Sequence, residues 1–451
     1  MSGLPPGVPF DLGIEGGEVV TARGRARLHV YVADGRIAAV TNRALQARET
    51  VDATGLLVMP GMIDAHVHFM DPGDASREDF PTGSAAAARA GVTTVIEHTH
   101  AAPVISADDL RAKVDHLRDR SHVDFALAAH GWPDRLEEVE GVWRAGAAFV
   151  KAFTCTTHGV PGFSAAALKR LFAVVARCRA VSLVHAEDES LTAAAEAELR
   201  AAGREDGGVV PLWRGRDAEQ TALLVTALAA RLSSARVVAA HVSHVDALLA
   251  ASGLTIETCP QYLTLSEREA LECGPFRKFT PPARARSDDD LEQMWRAVAE
   301  GRVDYVASDH APSTRQQKLA GTIWDVHFGL PGVDTTLSVL LDGAHAGRIS
   351  YERIAEAYSE RPAQIYGLWP AKGRLEPGAD ADVVLVDPEA GWTVRDADII
   401  SKAGWSPFSD RTLTGRAQRT YLRGTLIADG GRTVEEPGAG RFVPGGGHPK
   451  S

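Results

Sequence analysis

Residues 62–69, MIDAHVHF, form a short apolar run that ends on two histidines one residue apart. Alternate residues of a strand face the same side, so the run places His66 and His68 together at its carboxyl end. Seven more runs of this texture follow: TTVIEHT (93–99), VDFALAAHG (123–131), AFVKAFT (148–154), VSLVHAED (181–188), RVVAAHVSH (236–244), LTIETCPQYL (254–263) and VDYVASDH (303–310). Between them lie Ala-rich stretches with helical texture, such as FPTGSAAAARAG (80–91), SAAALKRLFAVVARCRA (164–180) and AEQTALLVTALAARL (218–232). Eight short apolar runs, each separated from the next by room for a helix, predict an α/β fold, a parallel TIM-type (β/α)8 barrel. A doubly wound open sheet is the alternative.

The two ends read differently. LHVYVADGRIAAVTN (28–42) alternates around an Asp34-Gly35 turn, a hairpin signal, and ADVVLVDP (381–388), WTVRDADI (392–399) and RTYLRGTLIADGGRTV (419–434) repeat an all-β texture. The expectation is a small β-sandwich domain built from both termini, residues 1–58 plus 371–451, around a barrel of residues 59–370. The Gly-rich tail GGGHPKS (445–451) is expected to be disordered.

Composition narrows the function. Lys plus Arg number 48 against 59 Asp plus Glu, a net charge of −11, which disfavours nucleic acid as a partner. The hydrophobic share of 45% and charged share of 24% suit a large buried core. No stretch is apolar for long enough to span a membrane, and the first twenty residues lack the basic start and apolar segment of a secretory signal. Cys155, Cys178, Cys259 and Cys273 are too few and scattered for a disulfide framework, so a reducing, cytoplasmic setting is expected.

In a (β/α)8 barrel the chemistry sits at the carboxyl ends of the strands. There the runs offer His66 and His68, then His98 and His100, then His185, His241 and Asp309-His310. A lone His-x-His is more often a hydrogen-bonded core pair than a metal site, but four strand ends with ligand-type residues favour a metal. Lys151 is chemically odd in the middle of AFVKAFT. Burying an unpaired ammonium is costly, so the plain reading points it outward or pairs it with a carboxylate. The sharper one adds CO2, giving a carbamate whose two oxygens can each hold a metal.

PGMIDAHVHFMDPG (60–73), GVTTVIE (91–97), FVKAF (149–153), LVHAEDE (183–189), AAHVSH (239–244), ETCPQYL (257–263), ASDHAP (307–312) and KGRLEPGADADVVLVD (372–387) together resemble the cyclic amidohydrolase branch of the amidohydrolase superfamily. That branch contains dihydroorotases, allantoinases, hydantoinases and dihydropyrimidinases. The resemblance covers almost the whole chain. It implies six ligands, His66, His68, carboxylated Lys151, His185, His241 and Asp309, around two divalent metal ions, zinc first and Mn2+, Co2+ or Fe2+ as alternatives. It also implies Asp309 as the base for the attacking water and then the acid for the leaving ring nitrogen. The expected substrate is a small cyclic amide or ureide, and relatives of this kind are commonly homo-oligomers, dimers or tetramers.

Which ring is opened depends on three positions. Dihydroorotases usually carry Arg and Asn where this chain has Met70 and His100, and hydantoinases usually carry Tyr where it has Thr156. KAFTCTT (151–157) looks allantoinase-like, whereas ETCPQYL and GLPGVD (329–334) look hydantoinase-like. A thioether cannot replace a guanidinium fork, so a ring without a carboxylate at the Met70 end is expected. Arg77 and Arg315 are the basic residues near the mouth that would otherwise supply that charge. Among the rest, His158 reads as a solvated loop residue, His244 as a helix start, Cys155 and Cys259 as inert thiols, and Glu187, Asp188 and Glu189 as helix N-terminal acids. A dihydroorotase-like enzyme, another imide or linear-amide hydrolase and a catalytically dead scaffold are the rival readings, and the complete ligand set argues against the scaffold.

Overall fold

In the computed structural model, which describes residues 10–434 and 436–447, the eight runs form one closed barrel. Its strands are Met62–Val67, Val92–Glu97, Asp124–Leu127 continued by Ala129–His130, Val150–Phe153, Val181–His185, Arg236–Ala239, Thr255–Thr258 and Tyr305–Val306. Each pairs in parallel with its successor. The ring closes where Val67 bridges His310 and the His68 amide donates to the His310 carbonyl at 2.7 Å. Strands covered on both faces need continuous apolar sequence, which is why the runs show little alternation.

Inside the barrel, Ile63, Ala65, Ile96, Ala126, Ala128, Phe149, Leu183, Val238, Ala240, Tyr305 and Ala307 form one buried cluster. Counting on by two from this core gives the residues that reach the mouth: Ile96 leads to His98 and His100, Phe149 to Lys151 and Phe153, Leu183 to His185, and Ala307 to Asp309. The first strand reaches His66 and His68 through a register irregularity between Asp64 and Val67. Helices form the outer layer. Asp79, Ser164 and Asp188 cap the helices Phe80–Arg89, Ala165–Arg177 and Glu189–Ala201 by accepting first-turn amides. Leu168, Leu171, Phe172 and Val175 then bury one helical face against the strands.

Both ends of the chain share a second core. One sheet has the order Arg36–Thr41, His29–Ala33, Phe10–Glu15, Ala47–Asp52; the other runs Arg432–Thr433, Thr425–Asp429, Thr412–Leu422, Val383–Thr393, Leu57–Pro60, Glu18–Thr21, Gly24–Arg27. The second sheet joins the termini directly, because Val383–Val386 pairs antiparallel with Leu57–Pro60. Leu12, Ile14, Val30, Val32, Val58, Val383 and Leu385 fill the space between the sheets, the sandwich that the sequence led us to expect. Asp34 and Gly35 have φ of 51° and 73°, the left-handed pair that a two-residue hairpin turn requires.

Two expectations are corrected. WTVRDADI is a strand only through Thr393, and Asp396–Asp398 is a short 3-10 turn. In the tail, Gly445 is buried and donates to the Gly146 carbonyl at 2.8 Å, while Phe442 bridges Phe125 of the third strand. Gly445 and Gly447 pack where a side chain would not fit: a Cβ on Gly445 would meet the Ala147 carbonyl at 2.5 Å and one on Gly447 the Trp143 carbonyl at 2.4 Å. The rest of that expectation, on residues 448–451, lies outside the described residues.

Lys372 joins the two bodies. It is 2% exposed, and its ammonium pairs with Asp124 at the foot of the third barrel strand and with Asp380 and Asp382 at 2.9 and 2.8 Å. Burial opposes its charge, but Asp382, Asp124 and Asp380 outweigh that and raise its pKa above the usual lysine range. Lys372→Met removes the cation shared by three buried carboxylates and leaves only Arg423 on Asp124 and Arg441 3.8 Å from Asp380, so chemical denaturation should show a loss of about 3–5 kcal/mol. A loss under about 1 kcal/mol would show that the cluster does not hold the bodies together.

Candidate active site

The barrel mouth gathers the six residues expected as ligands. Asp309 Oδ1 lies 3.2 Å from His66 Nε2 and 3.4 Å from His68 Nε2. Lys151 Nζ is 3.4 Å from His66 Nε2, and His185 Nδ1 faces His241 Nε2 at 3.0 Å. All six line one cavity with about 430 Å³ of free space, its open mouth included. Met70, Arg77, His100, Phe153, His158 and Phe328 form most of the remaining wall.

Hydrogen bonds on the far side of the rings decide which nitrogens look inward. His66 Nδ1 donates to Glu257 Oε1 at 2.7 Å, His68 Nδ1 to the His98 carbonyl at 2.9 Å, and His185 Nε2 to Glu187 Oε2 at 2.8 Å. Each bond fixes a tautomer and leaves the other ring nitrogen with a lone pair aimed into the cavity. Burial pushes His66, His185 and His241 below the usual imidazole range, which favours these neutral rings. His241 Nδ1 is buried and has no hydrogen-bond partner among the described residues.

Lys151 is 2% exposed and has no carboxylate within ion-pair distance among the described residues. It therefore does neither of the things a structural lysine would do. Burial pushes its pKa down to about 8, so a reactive neutral amine is accessible in mildly alkaline solution.

The acids behind the rings went unrecognised in the sequence. Asp188 caps a helix as expected, but Glu187 is a buried hub that accepts from His185, Arg214 (3.0 Å), Arg284 (2.8 Å) and Thr280 (2.6 Å). Burial opposes its charge, and Arg214, His185 and Arg284 together hold the carboxyl well below the usual range. Glu257 accepts from His66, from the His241 amide at 2.9 Å and from Tyr305 at 2.6 Å. Burial pushes it up to about 8, while three donors, and any cation beside His66, favour its ionised form. The readable signal was an acid inside an apolar run, as in LTIETC, where a buried carboxylate needs partners.

The other candidates separate cleanly. His100 lines the cavity, its Nδ1 3.1 Å from His130 Nε2, and His158 stacks on it at 4.7 Å between ring centres. His158 is thus a wall residue and not a solvated one. Thr156 is exposed and absent from this wall. His98 packs against His66 and His68 at 4.6 and 4.4 Å. His244 precedes the helix Val245–Ala250 as expected. Burial pushes the Cys155 thiol up to about 12, consistent with an inert role. Arg315 pairs with Asp396 away from the cavity. Met70, His158, His241 and Asp309 all have left-handed φ, of 57°, 53°, 40° and 50°, so strained backbone gathers at this mouth.

Residues 57–427 match the model of the amidohydrolase family. The chain belongs to that family. It is 37% identical to an allantoinase of Rubrobacter xylanophilus over 96% of this chain and 97% of that protein. It is 36% identical to a dihydroorotase of Halobacterium salinarum over 92% of this chain and 96% of that one. The solved L-hydantoinase (dihydropyrimidinase) of Arthrobacter aurescens superposes with a TM-score of 0.92 at 31% identity, covering 96% of this chain and all of that one. Overall identity is nearly level between proteins named for different rings, so the cavity wall must discriminate.

The family is metal-dependent, and the donors fit a cation. Neutral imidazoles with directed lone pairs, a carboxylate between two of them, and the buried His241 Nδ1 without a partner among the described residues form a donor set that suits a cation. Glu187→Gln keeps the shape but weakens the hold on His185, leaves Arg214 without a carboxylate and leaves Arg284 with Glu219 alone. Chelator competition should show metal affinity reduced about 10- to 100-fold. Unchanged retention would mean that Glu187 only stabilises the fold.

Proposed function

We propose that this chain hydrolyses a cyclic amide or ureide at a binuclear centre held by His66, His68, Lys151, His185, His241 and Asp309, with Lys151 carboxylated on Nζ. The observation that carries this reading is the convergence of aimed imidazole lone pairs beside a buried lysine that has His66 at 3.4 Å and no carboxylate within ion-pair distance among the described residues. Carboxylation supplies the negative charge and second donor atom that this environment lacks. Zinc suits the nitrogen and oxygen donors, and Mn2+, Co2+ or Fe2+ are alternatives for the same atoms. When bound, the metals supply Lewis acidity and a lowered pKa for water.

The chain's own part is positioning and proton transfer. Phe153, Phe328 and Met70 give the cavity an apolar wall that holds a flat ring and limits water. Asp309 takes a proton from the attacking water as the new carbon–oxygen bond forms. It returns that proton to the ring nitrogen as the carbon–nitrogen bond breaks.

Substrate choice falls to the side of the cavity beyond the first and second strands. Met70 Sδ accepts from Thr99 Oγ1 at 3.4 Å, and His100 is engaged with His130. Neither presents a guanidinium fork to a ring carboxylate, which favours allantoin or a hydantoin over dihydroorotate.

Assembly as a homo-oligomer in the cytoplasm completes the reading. Leu224, Leu228 and Leu232 stand 60%, 47% and 66% exposed along one face of the helix Arg216–Ser233, the kind of apolar stripe a second copy would cover. All four cysteines are free, as a reducing compartment would keep them. Among the described residues no helix is long and apolar enough to cross a membrane.

Asp309→Asn should retain much of the metal and lose about 10²–10⁴-fold in kcat, the scale of a missing general base. A variant with half the activity would refute the assignment. A side-by-side assay should give allantoin or a hydantoin a higher kcat/KM than dihydroorotate by about 30-fold or more, the effect of one missing charge-assisted contact. The opposite order for every neutral ring would overturn the substrate reading.

A further inference from the structure

Three basic side chains lie buried around the rim segment 324–329 with no carboxylate within ion-pair distance among the described residues: Arg77, Lys278 and Lys318, at 7%, 1% and 0% exposure. Their partners in the chain are backbone carbonyls. Arg77 Nε donates to Pro312 at 2.9 Å and one Nη to Phe328 at 3.5 Å. Lys318 donates to His327 and Lys278 at 2.9 and 3.0 Å, and Lys278 to Trp324 at 3.2 Å. Lys278 also lies 4.6 Å over the Phe328 ring. Burial pushes Lys318 well below the usual lysine range and Lys278 down to about 8, so the guanidinium of Arg77 is the one of the three that keeps its charge through neutral and mildly alkaline pH.

Of the three, Arg77 alone lines the catalytic cavity. Its Nη1 has no acceptor among the described residues, and two of its nitrogens are pinned, so the guanidinium is held in place with donors to spare. Burial already pushes its pKa down to about 10, a cost that an anionic ligand would reverse. Arg77 also lies apart from Met70. Met70 leans on Thr99 beyond the second strand, whereas Arg77 is held against Pro312 and Phe328 beyond the eighth. The first strand is neighbour to both.

We propose that Arg77 is a substrate-reading residue, and that the preferred ring carries an acidic side arm whose carboxylate it binds. This rests on the reading of the cavity as a ring-hydrolysis site, and it deepens that reading. The ring stays uncharged at the Met70 and His100 side, and the arm extends toward the rim segment. A planar guanidinium suits a carboxylate bidentately, which a lysine at this position would not reproduce.

Hydantoin-5-acetate and hydantoin-5-acetamide are near-isosteric and differ in charge at the arm. With metal-loaded enzyme the acid should be favoured over the amide by about tenfold to a hundredfold in kcat/KM. Arg77→Met should reduce that ratio to about threefold or less, and Arg77→Lys should give an intermediate value, because it keeps the charge and loses the fork. The ratio is internal to each variant, so partial loss of folded enzyme does not change it. Calorimetric titration of the same two compounds into each protein gives the same comparison without turnover. An enzyme that opens neutral rings but shows no preference for the acid, or a preference untouched by both substitutions, would overturn the role of Arg77 alone. Failure to open any ring would count against the ring-hydrolase reading, and the calorimetric ratio would then decide Arg77 by itself.

Discussion

The proton between His185 Nε2 and Glu187 is the contact on which the mouth of the barrel most depends. A buried imidazole can face a cation with only one nitrogen, and the other must give its proton to something fixed. Glu187 can be that acceptor only while ionised, and it stays ionised because Arg214 and Arg284 are buried beside it. Arg284 in turn bonds Glu219 of the helix Arg216–Ser233 at 2.6 Å, and Glu219 accepts the Ser243 amide just past the sixth strand at 3.1 Å. Two guanidinium groups and two carboxylates give this buried network no net charge, which is what makes it tolerable in a low-dielectric interior. One ring of the barrel mouth, His185, is thereby oriented by parts of the fifth strand, the sixth strand, a helix and a loop.

His66 is held by a different chemistry. Glu257 stands behind it with Tyr305 and, through a 2.5 Å contact between hydroxyls, Tyr366, but among the described residues no arginine pairs with Glu257. Its charge is balanced only from the cavity side, so the first pair of histidines is coupled more closely to what the cavity holds than His185 is. Asp309 lies between His66 and His68 and adds a second negative charge on the same side. These acids and the lysine nearby make a cation the natural completion of the site.

The barrel was legible because its strands are buried on both faces, and a two-residue count carries the interior core into the mouth. That count finds Lys151, His185 and Asp309 directly. It needs help at His66, where a register irregularity intervenes, and at His241, whose left-handed backbone turns the side chain inward one residue after Ala240. Glu187, Glu257 and Asp64 were harder, since an acid near a strand end reads equally well as a helix cap. Asp64 accepts the Ser308 amide at 2.9 Å and the Tyr358 hydroxyl at 3.0 Å, contacts made across more than two hundred residues of sequence. The ordering of Gly445–Gly447 was hidden for a related reason, because backbone packed against backbone leaves no side-chain pattern.

The floor and the rim of the cavity are therefore under different constraints. The floor is carried by strands whose hydrogen-bond register fixes every donor, and a small displacement there would misdirect a lone pair. The rim is carried by loops, and its geometry rests on local backbone devices. Met70 and His158 hold left-handed conformations, and Gly329 has φ of 121° where an added Cβ would sit 2.1 Å from the Ala311 carbonyl. Such positions fix how closely the loops after the first and eighth strands approach each other, and hence how much ring and side arm the cavity admits. Residues on the rim can be exchanged without disturbing the proton bookkeeping behind the histidines. The same floor is thereby compatible with more than one ring, and Met70, Arg77 and His100 are the residues of this chain on the cavity wall through which such a choice would be made.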